Sequence, residues 1–167
     1  MFYDVVEAVA ARASADFTPG MVHLATQKSV SIVTTATIYK RQDANIFAAL
    51  DASVATLPGI GVYALSALTN ARRQDLRDSS VAMVYDYFAR GLDPAALLVQ
   101  AELAAEALLR VIDRIYGSAP GIFGVGEATL GVQVTIEPMV KAAGEDYYEQ
   151  RVLVRFLVDE RDLDLDP

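Results

Sequence analysis

The chain has no cysteine, no tryptophan and a single histidine among its 167 residues. Without cysteine there can be no disulfide and no thiolate metal site, which fits a reducing compartment. Without tryptophan, core packing falls to aliphatic side chains and alanine. With one histidine, His23, a multi-histidine metal centre is excluded, and a Ser-His-Asp triad would have to use it. No Gly-x-Ser-x-Gly elbow supplies the nucleophile for such a triad. His23 lies among Ala, Leu and Val and reads as an ordinary structural or surface residue.

Positive charge is also scarce. Fourteen Lys and Arg face 22 Asp and Glu, a formal charge of −8. An acidic chain lacks the broad electrostatic footprint that grips a phosphate backbone. Its basic residues are scattered, and Asp43, Asp75, Asp78 and Glu149 are interleaved with them. The first residues, Met1-Phe2-Tyr3-Asp4, lack the basic stretch of a signal peptide, so no secretion by that route is expected. The longest uncharged run, residues 52–71, approaches a bilayer's length, but Pro58, Gly59 and Gly61 break it. No membrane span is expected.

What is present is ample apolar material, 53% of residues, enough for one domain spanning residues 1–167. Phe2, Val5, Val6, Val9 and Ala13 recur at helical spacing, which predicts an amphipathic helix over residues 2–15, ended by Thr18-Pro19-Gly20. Residues 29–39 are rich in Val, Ile and Thr and read as a strand. Asp43 can cap a short helix bearing Ile46, Phe47, Leu50 and Val54. A second strand is expected at 60–65 and a third at 80–88, the latter apolar on both faces and therefore either central or with one face meeting another subunit.

Asp93-Pro94 is the clearest local signal: Asp suits the helix N-cap, and Pro suits the first helical position, where its missing N–H is no loss. A long helix should follow to about Tyr116, with Leu97, Ala101, Leu108, Ile112 and Ile115 inward. Strict alternation at residues 129–136 predicts a half-exposed strand, and residues 148–158 a last strand pairing with it antiparallel. The expected fold is therefore α+β: a mostly antiparallel sheet of four to five strands backed by two to three helices. Residues 160–167 form an acidic tail expected to fray.

Chemical motifs are thin. Gly121, Gly124 and Gly126 have the reverse of the dinucleotide spacing and precede a strand where a phosphate loop needs a helix. Asp162, Asp164 and Asp166 alternate like the opening of a calcium loop, without its glycine or closing glutamate. No enzyme, cofactor or metal is expected. Two mixed-charge segments stand out instead. Residues 69–78 carry Arg72, Arg73 and Arg77, and residues 139–150 carry Glu145 and Asp146, with Arg151 and Arg155 following on the last strand. Either they are solvated surface, or they order in a subunit interface where complementary charge fixes register.

The order of elements resembles a known family. A helix precedes a Leu57-Pro58-Gly59-Ile60-Gly61-Val62-Tyr63 strand; a charged turn follows, then Met83-Val84-Tyr85-Asp86-Tyr87-Phe88 and a long helix from Asp93. Two strands close the chain across Gly144-Glu145-Asp146-Tyr147-Tyr148-Glu149. This pattern, over residues 57–162, is similar to the tail-terminator (minor tail protein U-like) family of long-tailed bacteriophages, with residues 19–54 as an elaboration. The resemblance implies a structural virion protein of the tail or neck, made in the host cytoplasm. It implies a hexameric ring that caps the tail tube protein, stops its polymerisation and presents a face to a head-side neck or connector protein. DNA would only pass through the lumen, without specific binding. Two other readings stay open: another neck, head-completion or sheath-end protein, or a small-molecule-binding or enzymatic α+β domain with a cleft beside Tyr63, Tyr85 and Tyr87.

Overall fold

Two long helices lie on one face of a twisted sheet whose two central strands run almost its full length. A computed structural model describes residues 2–40, 57–69, 79–115 and 131–159. In chain order the elements are α1 (Phe2–Lys28), β1 (Thr37–Lys40), β2 (Gly59–Thr69), β3 (Ser79–Gly91), α2 (Pro94–Ile115), β4 (Gln133–Ile136), β5 (Val140–Lys141) and β6 (Tyr148–Asp159). The sheet has six strands in the order β1-β2-β3-β6-β4, with β5 also on β6. All neighbours are antiparallel except β1 and β2, which run parallel. The fold is α+β.

α1 is where expectation and structure part most. It does not stop before Pro19 but continues to Lys28, with Pro19 inside it. Pro19 lacks an N–H, yet its ring faces solvent, while Phe17, Met21 and Leu24 carry the buried stripe past it. Gly20 faces α2, where a Cβ would meet the Ala107 Cβ at an ordinary contact distance of 3.6 Å. Residues 19–28 thus belong to the core helix. The helix ends in a Schellman turn. Val30 N–H donates to Ala25 O at 3.0 Å and Ser29 N–H to Thr26 O at 3.1 Å, with Ser29 in the left-handed region at φ 53°.

The strand expected at 29–39 is also shorter. Only Thr37–Lys40 joins the ladder. Val30, Ile32 and Ala36 still turn inward with period two, but Val33 N–H donates to the Gln100 side chain rather than to a strand. The helix capped by Asp43 falls outside the described residues, as do Gly121 to Gly126 and the tail at 160–167.

α2 follows the sequence closely. Asp93 Oδ1 accepts from the Ala95 and Ala96 N–H groups at 2.9 and 3.3 Å, satisfying donors that the first turn leaves free. Leu97, Ala101, Leu108, Ile112 and Ile115 are all buried, and so is Gln100. Gln100 is held by two partners, since its Nε2 donates to the Tyr87 hydroxyl at 2.8 Å and its Oε1 receives Val33 N–H. Asp16 of α1 joins the helices, facing Arg12 Nε at 2.7 Å and Arg114 Nη1 at 2.6 Å. Valines 81, 152, 154 and 158 with Met83, Tyr85, Tyr87 and Phe156 complete one contiguous core between sheet and helices.

Candidate subunit interface

Side chains alternate across a strand, so β3 and β6 each send half their residues away from the helices. On that second face the register places Val84 beside Arg155, Asp86 beside Leu153 and Phe88 beside Arg151. Tyr63 of β2 lies beside Val84, and Gln133 and Thr135 of β4 lie beside Arg155 and Leu153. Two of the interface candidates, Arg151 and Arg155, are therefore on this face.

Arg151 is committed within the subunit. Its Nε and Nη2 donate to the two carboxylate oxygens of Asp86 at 2.8 and 2.7 Å, a bidentate pair. Its Nη1 lies 3.6 Å from Glu137. Asp86 is only 2% exposed. The hydrogen bond to Asp86 raises the Arg151 pKa further, against the opposing effect of burial. Burial, and then the Asp86 carboxylate, push the Tyr63 hydroxyl above its ordinary value, while Arg151 and Arg155 act the other way. Arg155 itself is exposed. The group is a locked, nearly neutral ion-pair network, and it brings no nucleophile and base together.

Among the described residues, Tyr63, Tyr85 and Tyr87 do not line one cleft. Tyr85 and Tyr87 face the helices, fully buried, where the Tyr85 hydroxyl donates to Val9 O at 3.0 Å. Tyr63 is on the opposite face, one residue out of phase with them in the ladder. His23 is exposed on α1.

Residues 139–150 are more ordered than a polar loop. β5 pairs Val140 with Glu149 and Lys141 with Tyr148. Ala142 N–H then donates to Tyr147 O, and Glu145 N–H to Ala142 O at 3.2 Å. Gly144 at φ 78° occupies the third position of that turn, the place where a type II turn demands a positive φ. Arg90 clamps the base of the hairpin, donating to Glu149 at 2.9 and 2.8 Å and lying 4.8 Å from the centre of the Tyr147 ring. Glu145 and Asp146 project from the tip, exposed and without an ion pair among the described residues.

Arg72, Arg73 and Arg77 lie outside the described residues, but the strand ends that bracket them in sequence are placed. Thr69 pairs with Ser79, and Ser80 with Asp159, at one end of the sheet. The hairpin tip is at the other, where Gly91 meets Tyr148. At about 3.3 Å per residue, those ends are roughly 36 Å apart.

Asp86 and Gln100 were not among the expected site residues. Asp86 had a signal: it is the one acid inside the apolar run 81–88. No helix among the described residues is long and apolar enough to cross a membrane. Compared with protein-family models and with curated protein sequences, the chain matches none.

Proposed function

We propose that this chain is a structural subunit that assembles with copies of itself into a ring on the end of a phage, or phage-derived, tail tube, where it stops tube growth and provides the joint to the head side. The observation that carries the reading is that the two ends of the sheet are unlike, with the acidic hairpin tip at one and the Thr69 and Ser79 strand ends at the other. The acids Glu145 and Asp146 stand at one end of the sheet, and the strand ends bracketing Arg72, Arg73 and Arg77 stand at the other. A ring that caps a tube needs two unlike end faces, one toward the tube and one toward the head, which a two-fold dimer with its single self-complementary patch does not provide. The element order from Leu57 onward supports the tail-terminator assignment. The −8 charge supports a lumen through which DNA slides without being held.

The test is light scattering on the purified chain, alone and with purified tail tubes, followed by electron microscopy of the mixture. Rings, expected as hexamers, or caps on tube ends that halt elongation, are the predicted result. A monomer or dimer that ignores tubes refutes the terminator reading. Rings that bind connector particles and leave tube growth unchanged would replace it with a head-completion role.

A further inference from the structure

The two lateral edges of the sheet are complementary to each other. We infer that the outer edge of β4 in one copy pairs with the outer edge of β1 in the next, continuing the sheet from subunit to subunit; this rests on the self-assembly reading above.

Direction comes first. β1 runs with β2, and three successive antiparallel steps lead from β2 through β3 and β6 to β4. β1 and β4 therefore run oppositely. A neighbouring copy placed side by side, helices on the same side, brings β4 against β1 antiparallel. Among the described residues no strand lies beyond either of them.

Hydrogen-bonding phase comes next. Glu137 N–H donates inward to Arg151 O at 3.0 Å, so two residues back along the strand Thr135 also points inward, and Val134 and Ile136 present their backbone N–H and C=O outward. Thr37 N–H donates inward to Pro58 O at 2.9 Å, so Ala36 and Ile38 present theirs outward. Setting Ile38 opposite Val134 and Ala36 opposite Ile136 lets outward groups meet outward groups.

The side chains agree with that phase. Val134 is beside Val154 and Ile136 beside Val152 in the ladder, so both are on the helix face, yet they remain 38% and 39% exposed. Ile38 and Ala36 are also on the helix face, packed against the core. The same register that pairs the backbones thus sets apolar against apolar on the helix face, and Thr37 against Thr135 on the other. A slip of one residue would break both matches at once. Pro138 then ends the usable edge, since it has no N–H to offer.

Thr37 and Thr135 are exposed and would form a non-hydrogen-bonded pair, with Cα atoms about 4.5 Å apart, within disulfide range. Within one chain they are four strand spacings apart, roughly 19 Å, so no internal disulfide can form. Because the chain has no cysteine, engineered ones report without background.

The experiment oxidises Thr37→Cys, Thr135→Cys and the double variant, with light scattering on each sample, alone and on tail tubes. The expected result is a covalent ladder of subunit multiples for the double variant, a dimer from mixing the two single variants, and no crosslink in either alone. A Val134→Lys variant should keep its melting temperature and lose assembly, because the added charge sits on the pairing edge. An assembled sample that does not crosslink overturns the edge pairing and leaves the ring reading standing. Self-crosslinking of Thr135→Cys alone overturns it in favour of a two-fold β4 contact. A sample that never assembles overturns both readings.

Discussion

Replacing Arg151 by Met should destabilise the subunit by about 3 kcal/mol, although Arg151 is partly solvent-exposed. Asp86 is 2% exposed and takes both of its charge-assisted hydrogen bonds, at 2.8 and 2.7 Å, from this one side chain. Methionine can cover the same surface but leaves the carboxylate buried and uncompensated, a loss of about 3–5 kcal/mol when one partner of a buried pair is removed. The lower end applies here, because Arg151 retains 24% of its side-chain exposure and the vacated rim would admit water. For a chain of this size that corresponds to a fall in Tm of about 6–12 °C. Urea unfolding followed by circular dichroism reads the change directly. The Asp86→Leu/Arg151→Met double variant removes both charges together and should return to within about 1 kcal/mol of the parent, since an apolar pair can replace a buried ion pair. A single variant costing less than about 1 kcal/mol, or a double variant as unstable as the sum of its parts, would refute the reasoning.

Ser29→Gly should stabilise the chain by about 1 kcal/mol, read as a rise in Tm, because Ser29 holds φ 53° at the Schellman position where glycine carries no Cβ penalty. Tyr87 predicts a pH dependence. Burial pushes its pKa from 10.0 to about 12, with the Gln100 hydrogen bond opposing. A folded pKa above the unfolded one means that stability is intact below pH about 10 and falls by about 1.4 kcal/mol per unit up to about 12. Tyr63, raised mainly by burial, adds to the fall. Tyr87→Phe should lower stability by about 1–3 kcal/mol at neutral pH, where Gln100 loses its acceptor, and flatten the alkaline slope. An unchanged slope in pH-resolved urea melts would count against this account.

The parts of the fold legible in the sequence are those set by local pattern. Asp93-Pro94 and the stripe from Leu97 to Ile115 place α2 almost residue for residue, because cap chemistry and helical spacing are both short-range. Alternation places β3 and β6, and the doubly apolar β3 is indeed central. Thr18-Pro19-Gly20 misleads because turn-forming residues act as stops only where the surroundings let them. Here Pro19 faces water, and Phe17, Met21 and Leu24 supply burial on both sides. Residues 30–36 have a strand's alternation without its hydrogen bonds, since pairing depends on a partner that no local pattern encodes. The parallel crossover of β1 onto β2 is non-local for the same reason. Of the expected interface residues, Arg151 proves to be held inside the subunit, whereas Arg155, Glu145 and Asp146 are exposed.

The long β3–β6 ladder also has a mechanical consequence. Its twelve opposed pairs join Ser80 beside Asp159 to Gly91 beside Tyr148, from one end of the sheet to the other. Tension applied between those ends would run along the strands and load the cross-strand hydrogen bonds in shear, side by side. None could part first and leave the next to take the strain, as happens when a hairpin is peeled open from its tip. A subunit wired in this way transmits axial pull as a stiff link, and its weakest direction is across the strands.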